Sequence, residues 1–212
     1  MSVFCEAAER QNEINKIEMK FNVIYADPPW QQKTGRKMNG YKIIDGKQIW
    51  NSIENKSANM NYPTMTVDEI AEMPIKEITA DNAHLYLWVT NKYLLDAKKV
   101  IEAWGFKYST CITWKKKRMG GGLGGAIRIT HEHLLFCRRG KLKTIGIIPE
   151  SVIEAKRPYV NGYPYSSKKP EIFAELITSV SPGPYLELFA RSERKGWDVF
   201  GNQVENSIKI NL

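Results

Sequence analysis

The chain has 212 residues, of which 42% are apolar and 25% charged, and its formal net charge at pH 7 is +8. This length suits one large domain and is short for two, and the composition excludes a disordered, collagen-like or disulfide-dense protein. The sequence shows no apolar run near the roughly 18–20 residues that span a bilayer and no secretory or transit signal, so we expect a single cytoplasmic domain over residues 1–212 without membrane contact.

The positive charge is concentrated in one part of the chain. Residues 92–143 carry 13 Lys and Arg but 3 Asp and Glu, whereas the rest of the chain carries 18 basic and 20 acidic residues. A basic block of this kind indicates a polyanionic partner. Nucleic acid is favoured over an acidic metabolite or protein and over a merely solvated face.

Hydrophobic periodicity predicts strands that alternate with amphipathic helices. After a lead-in over residues 1–20, the predicted strands cover residues 21–26, 83–89, 108–114, 131–138, 185–189 and 197–200. Helices are predicted after the capping box Thr66-Val-Asp-Glu69, after Asn91 with Gly105 at its end, and over residues 171–180. Residues 31–61 and 156–168 and the basic, glycine-rich residues 115–130 are predicted loops. This alternation indicates an α/β domain with a mostly parallel sheet.

The most informative segment is Asp27-Pro28-Pro29-Trp30, directly after the first predicted strand. Ligands of open α/β sheets bind beyond the carboxyl ends of the strands, and two prolines remove two N–H donors from this turn. The turn would offer a carboxylate and bare carbonyl oxygens to an amino group, while Trp30 stacks on the ring that carries it. The alternative is a turn that ends a strand, with a tryptophan that only packs.

This segment resembles the catalytic motif of amino methyltransferases, and its acidic, tryptophan-ending form resembles the MT-A70 family of adenine-N6 methyltransferases. Four further segments match that family in the same order: Tyr62-Pro-Thr-Met65, Leu85-Tyr-Leu-Trp-Val-Thr90, Lys169-Pro170, and Leu186-Glu-Leu-Phe-Ala-Arg191 with Gly196-Trp197 and Gly201-Asn-Gln203. The resemblance implies a Rossmann-like class I methyltransferase fold with a mostly parallel sheet, in which the catalytic motif precedes the cofactor signature.

The resemblance also implies S-adenosylmethionine as the methyl donor, S-adenosylhomocysteine as the product, and no metal. Its expected cofactor-binding residues are Asp27, Lys169, Glu187, Leu188, Phe189, Arg191, Asn202 and Gln203. Lys169 would meet the methionine carboxylate, and Glu6 or Glu9 would contact the cofactor adenine. The eukaryotic mRNA branch has a His-Asn pair where this chain has Ser192-Glu193-Arg194.

The implied reaction is methyl transfer to the N6 amine of adenine in nucleic acid, with Asp27, Pro28, Pro29 and Trp30 as catalytic residues. Hydrogen bonds from the amine to Asp27 and to the Pro28 carbonyl would localise its lone pair towards the methyl group. DNA is favoured over RNA as the substrate. A homodimer or a pair with a related subunit is expected, and a catalytically silent nucleic-acid-binding subunit is the alternative from another class.

A flexible cationic loop beside an active site suits phosphate contacts, and aromatic side chains suit stacking on bases. The predicted nucleic-acid-binding residues are therefore Tyr62, Lys115, Lys116, Lys117, Arg118, Arg128, Tyr163 and Tyr165. Residues 31–61 and 156–168 are expected to close over the bound base and cofactor.

Two other patterns indicate different functions. The segment Gly120-Gly-Gly122-Leu-Gly-Gly125 satisfies the dinucleotide-binding pattern literally, but no helix is predicted to follow it, so a mobile basic loop is favoured over an oxidoreductase site. His131, His133 and Cys137 fall on one face of a predicted strand. Three such residues could hold zinc, but core or edge positions are favoured for them.

Overall fold

The computed structural model describes residues 20–31, 38–44, 47–53, 63–117, 129–148, 150–160, 163–164 and 168–210. Its main sheet contains seven strands: β1 (Phe21–Ala26), β4 (Thr79–Val89), β5 (Lys107–Lys117), β6 (His131–Arg139), β7 (Val152–Lys156), β10 (Tyr185–Leu188) and β11 (Asp198–Phe200). Their spatial order is β11-β10-β1-β4-β6-β5-β7, and within this sheet only β6 runs against the others. The expected mostly parallel α/β sheet is confirmed.

Two short antiparallel pairs lie outside the main sheet. They are β2 (Met38–Ile44) with β3 (Lys47–Ile53), and β8 (Tyr159–Val160) with β9 (Tyr163–Pro164). The sequence reading of residues 31–61 and 156–168 as loops is therefore wrong for these strands. Because β2 and β3 pair Ile44 with Lys47, two residues connect them, which is the commonest hairpin loop length.

Helices cover both faces of the sheet: α1 (Val67–Glu72), α2 (Ile75–Ile78), α3 (Ala97–Ala103) and α4 (Ile172–Val180). Ile70 of α1 and Val100 of α3 belong to a core cluster on one face, whereas Phe173 and Ile177 of α4 belong to the cluster on the other. Side chains that alternate along β1 supply both clusters, because successive strand residues point to opposite faces. The described helices include none that is long and apolar enough to cross a membrane.

Predicted caps lie at the start of α1 and at the end of α3. Thr66 and Glu69 form the complete capping box at the start of α1. Gly105 has φ +82° after α3, and its N–H and that of Phe106 donate to Glu102 and Ile101, which is the hydrogen-bond pattern of a Schellman motif. The start differs from the prediction, because Asn91 begins a short 3₁₀ helix and α3 itself begins six residues later.

Candidate active site

The turn at Asp27–Trp30 leaves the sheet at the carboxyl end of β1 and is fixed by its backbone. The N–H of Trp30 donates to the Pro28 carbonyl at 2.8 Å, and the N–H of Met65 donates to the Pro29 carbonyl at 2.8 Å. The expectation of bare carbonyl oxygens is therefore wrong. A carbonyl oxygen has two lone pairs, so Pro28 can still accept one further hydrogen bond, while Pro28 itself is buried.

Trp30 is an anchor of this turn. Its side chain is 4% exposed, its Nε1–H donates to the Trp88 carbonyl at 2.9 Å, and its ring stacks on Tyr93 at a centroid distance of 5.3 Å. Because the Trp30 ring is enclosed in this way, it cannot stack on a ligand ring as predicted. The packing alternative describes Trp30 better, because the indole holds the turn against the end of β4.

Asp27 belongs to a chain of four alternating charges. Lys169 Nζ lies 2.6 Å and 2.7 Å from the two carboxylate oxygens of Asp27 and 3.4 Å from Glu132 Oε2. Lys116 pairs with the other oxygen of Glu132. An ammonium group has three N–H donors. The two carboxylate oxygens of Asp27 and one oxygen of Glu132 supply three acceptors for those of Lys169. The catalytic candidate is thus neutralised by a residue that the sequence assigned to the cofactor.

The packing of α4 places Lys169 at this point. Phe173, the second residue of the helix, lies edge-on to Trp88 at 4.8 Å and to Trp114 at 6.2 Å between ring centroids. This contact seats the helix start over the carboxyl ends of the strands, and Lys169 Nζ lies 5.2 Å from the centre of the Trp88 ring. Cation–π attraction adds to the two ion pairs of this lysine.

Burial and mutual attraction act in opposite directions on these charges. Burial raises the pKa of Asp27, and the attraction of Lys169 offsets this only in part. Burial alone would lower the pKa of Lys169, but Asp27 and Glu132 outweigh it and raise that pKa. Burial would likewise raise the pKa of Glu132, yet Lys169 and Lys116 together lower it. Lys169 therefore stays charged, while burial favours the protonated form of Asp27 and the two lysines favour the ionised form of Glu132.

A second cluster lies beside Asp27 at the end of β10. Arg194 Nε donates to Glu187 Oε2 at 2.9 Å, and the same guanidinium pairs with Glu171 at the start of α4. Burial and then the charge of Asp27 raise the pKa of Glu187 to about 7, and the charge of Lys168 opposes this rise. Arg194 stands in the segment where the mRNA branch has its His-Asn pair, and here it ties β10 to α4.

One cleft brings together two members of each cluster and most of the predicted cofactor-binding residues. It is lined by Tyr25, Asp27, Lys168, Lys169, Glu187, Phe189, Arg191, Ser192 and Arg194. Cations and carboxylates stand side by side there, which is the complement of a ligand that carries both an ammonium and a carboxylate group. The donor set therefore fits the amino-acid end of S-adenosylmethionine.

The cleft wall at Phe189 depends on an unusual backbone conformation. Phe189 has φ +61°, which costs energy for a residue with a side chain and occurs chiefly at turns and functional sites. The next residue, Ala190, donates its N–H to the Phe200 carbonyl and approaches Gly201 so closely that an added Cβ there would lie 2.2 Å from the Ala190 oxygen. Gly201 is thus needed for the close approach of the chains after β10 and β11.

Three of the predicted cofactor residues do not line this cleft with their side chains. Leu188 is 1% exposed and belongs to the core, because it alternates with Glu187 along β10. Asn202 and Gln203 are exposed in the turn after β11. A different buried polar atom lies at the same edge of the sheet: the hydroxyl of Thr90 has no hydrogen-bond partner among the described residues.

The predicted nucleic-acid-binding residues divide into three groups. Lys115, Lys116 and Lys117 extend β5 and are not part of a loop, so their side chains alternate in direction. Lys115 and Lys117 are exposed and pair with Glu154 at 2.9 Å and 3.5 Å, whereas Lys116 is 9% exposed and faces inward to Glu132. An inward lysine cannot meet a phosphate, and the prediction for Lys116 is wrong.

The other predicted nucleic-acid-binding residues lie outside the described part of the chain: Tyr62, Arg118, Arg128, Tyr165 and the side chain of Tyr163. The glycine pattern at 120–125 and the cofactor candidates Glu6 and Glu9 lie outside it as well.

Sequence reasoning missed Glu132, Lys116 and Arg194 as members of the site. Glu132 reaches it because β6 runs antiparallel and so begins at the edge where β4 ends, with His133 opposite Val89. Strand direction is not visible in a hydrophobic pattern. In the described ranges, no three His, Cys, Asp or Glu side chains are grouped to hold a metal ion.

Comparisons with known proteins identify related sequences. The Type II methyltransferase M.MunI of a Mycoplasma species is 29% identical over 99% of this chain and 92% of its own length. The N(6)-adenine-specific methyltransferase METTL4 of Homo sapiens is 27% identical over 87% of this chain and 37% of its own, and the catalytic subunit METTL3 is 24% identical over 88% and 28%. The signature of the MT-A70 family matches residues 21–203, and the chain belongs to that family.

Proposed function

We propose that this protein transfers the methyl group of S-adenosylmethionine to the N6 amine of adenine in nucleic acid, with DNA favoured over RNA. The observation that carries the proposal is the position of Asp27: it lies at the carboxyl end of β1, on the cleft that holds Lys169, Glu187 and Arg191. Family membership and two relatives named for adenine or adenosine N6 methylation support the same reaction.

The residues on the cleft have distinct roles in this proposal. Lys168, Lys169 and Arg191 supply the positive charge for the methionine carboxylate, and Glu187 and Asp27 supply the negative charge for its ammonium group. S-adenosylmethionine, when bound, supplies an electrophilic methyl carbon. Glu187 and Arg194 hold each other in place at the cleft wall through their 2.9 Å contact.

Towards adenine, Asp27 both orients the amine and receives its proton. As a carboxylate it accepts a hydrogen bond from the exocyclic nitrogen and directs the nitrogen lone pair away from the ring. After methylation the nitrogen is strongly acidic, so even a weak base takes its proton. The raised pKa of Asp27 makes this carboxylate a better proton acceptor than an exposed aspartate. Alignment of the amine nitrogen with the methyl carbon contributes the rest of the rate enhancement.

DNA is favoured because M.MunI, which matches over 92% of its own length, is named a Type II methyltransferase. The relatives named for adenosine methylation are longer proteins, and this chain spans about a quarter of their length.

The exposed Lys115 and Lys117 provide phosphate contacts for the nucleic acid. The protein acts in the cytoplasm as a single domain, either as a homodimer or beside a related subunit. Sedimentation velocity measures that assembly directly.

The test is methyl transfer from cofactor labelled in the methyl group onto DNA and RNA of matched sequence, single- and double-stranded, followed by digestion to nucleosides. We expect label in N6-methyldeoxyadenosine. Label in N6-methyladenosine from RNA alone would overturn the choice of DNA. Label in cytosine, or cofactor-independent binding without any transfer, would overturn the proposal.

A further inference from the structure

A second constellation lies on the face of the sheet opposite to Lys169 and Glu132. Cys111 Sγ lies 3.3 Å from His133 Nδ1, and His133 Nε2 lies 2.6 Å from the side-chain oxygen of Asn91. The three side chains form a chain from thiol to imidazole to amide.

The amide determines the tautomer of the imidazole. Because the Asn91 oxygen only accepts hydrogen bonds, the Nε2 of His133 carries the proton and donates it. The lone pair of Nδ1 is then directed to the Cys111 thiol. A nucleophile, a base within reach of its proton and a third group that orients the base are the parts of an activated cysteine.

The fold assembles these residues from three separate segments. In the pairing of β5 with β6, Cys111 lies opposite Leu135 and Thr113 lies opposite His133, so the thiol and the imidazole are diagonal neighbours. Asn91 comes from the 3₁₀ helix directly after β4. The sequence spacing of these residues therefore contains no sign of the arrangement.

Cys111 and His133 open onto a cleft of about 960 Å³ between α3 and the strands β5 and β6. Its walls are mostly apolar and include Ile101, Phe106 and Leu135. Leu95 on its rim is 88% exposed. A cleft of this size and lining accommodates a small apolar molecule.

We propose that Cys111 is a nucleophilic modification site for apolar α,β-unsaturated carbonyl compounds that bind in this cleft. The thiol proton passes to His133 Nδ1 while a bond forms between Sγ and the β-carbon of the compound. The electron pair of the double bond moves to the α-carbon, which then takes the proton back from the imidazolium. The addition has no leaving group and needs no oxidant or further reactant.

Both partners are neutral before the reaction. Burial raises the pKa of Cys111, and burial followed by the charge of His131 lowers the pKa of His133. His133 thus acts as a base towards a protonated thiol, and its rate contribution is lost as the pH falls through its own lowered pKa. The other titratable groups around the pair or on the cleft are Lys98, Glu102, Lys107, Tyr108, His131 and Glu132.

The experiment measures the addition of N-phenylmaleimide to the full chain carrying Cys5→Ser, with mass spectrometry and peptide mapping over a range of pH. Cys137, fully buried, is the internal control. The matched control chain carries Cys5→Ser, Cys111→Ser and Ile147→Cys, because position 147 is 86% exposed. A carboxyl-bearing maleimide tests the apolar character of the cleft.

We expect Cys111 to react at least about tenfold faster than the thiol of the control chain, and the charged probe to lose this advantage. His133→Gln and, separately, Asn91→Ala should each slow the reaction. The rate of the parent should level off above the pKa of His133, whereas the rate of His133→Gln should keep rising with pH, because only the thiolate then reacts. A merely structural role would leave the pH profile unchanged. A Cys111 rate no greater than that of the control thiol, or a rate and pH profile unaffected in both variants, would overturn the proposal.

Discussion

Lys169 Nζ lies 2.6 Å and 2.7 Å from the two carboxylate oxygens of Asp27, across a separation of 142 residues in the chain. The Asp27 carboxylate, which orients the amine in our proposal, is therefore already paired with Lys169 before a ligand binds. A cofactor carboxylate that draws on Lys169 leaves Asp27 freer to accept the hydrogen bond of an amine. The pair thus couples the cofactor side of the cleft to the catalytic side.

Replacement of Lys169 by Ala should destabilise the fold as well as reduce activity. It leaves the carboxylates of Asp27 and Glu132, each about 20% exposed, facing each other without a cation. We expect the free energy of unfolding in urea to fall by about 2 kcal/mol, less than for a fully buried pair. Lys168→Ala is the matched control, and an equal loss in both variants would contradict the role of the pair.

The pH dependence of transfer should show the raised pKa of Asp27. Because the ionised carboxylate accepts the amine hydrogen, activity falls as the pH drops through that pKa, above the ordinary value of about 3.9. The negative charge of Glu132 contributes to the rise, so Glu132→Gln should move the acid limb of kcat to lower pH. Glu154→Gln is the control, and an unmoved limb in Glu132→Gln would count against the assignment.

The three lysines at the end of β5 should separate in their effect on DNA binding. Lys115→Ala and Lys117→Ala remove exposed cations, so each should lower the slope of log K against log salt by up to about one unit. Lys116→Ala removes an inward cation from Glu132 and should lower turnover with little change in that slope. Equal slopes in Lys115→Ala and the parent, with a reduced slope in Lys116→Ala, would reverse the assignment.

Gly201→Ala should disturb the cofactor side of the cleft. Its Cβ would lie 2.2 Å from the Ala190 oxygen and 2.6 Å from the Ala190 nitrogen, so backbone has to move next to Phe189. We expect weaker cofactor binding by calorimetry and a loss of about 1–3 kcal/mol in unfolding free energy. Gly196→Ala meets no atom within 4 Å and carries only the strain of a positive φ, so it should leave cofactor affinity nearly unchanged. Identical affinities in the two variants would refute this role of Gly201.

Local chemistry made the principal elements predictable. Strand β1, the capping box of α1, the glycine after α3 and helix α4 follow from residues that are close in sequence. The β2–β3 hairpin was missed although the sequence between its strands is Asp45-Gly46, a pair typical of two-residue hairpin turns. Strand β7 was missed because its residues alternate between exposed and half-buried positions and form no continuous apolar run.

The site was predictable only where one segment carries it. Asp27 was recognised from its own turn, but its pairing with Lys169 and Glu132 depends on strand direction and on the seating of α4 by Phe173. Trp30 shows the same limit, because the packing partner Tyr93 that encloses its ring lies more than sixty residues away. Long-range pairing of charges and rings has no local signature.

The central claim is that the Asp27 carboxylate presents the amine of adenine for methylation. The most direct measurement is the yield of N6-methyldeoxyadenosine in DNA digests after a single turnover with the parent and with Asp27→Asn, at saturating cofactor checked by calorimetry. Asp81→Asn, a change at a carboxylate that is 87% exposed, is the control. We predict methylated adenine from the parent and the control and a yield at least about a hundredfold lower from Asp27→Asn. Equal yields from all three proteins would contradict the account.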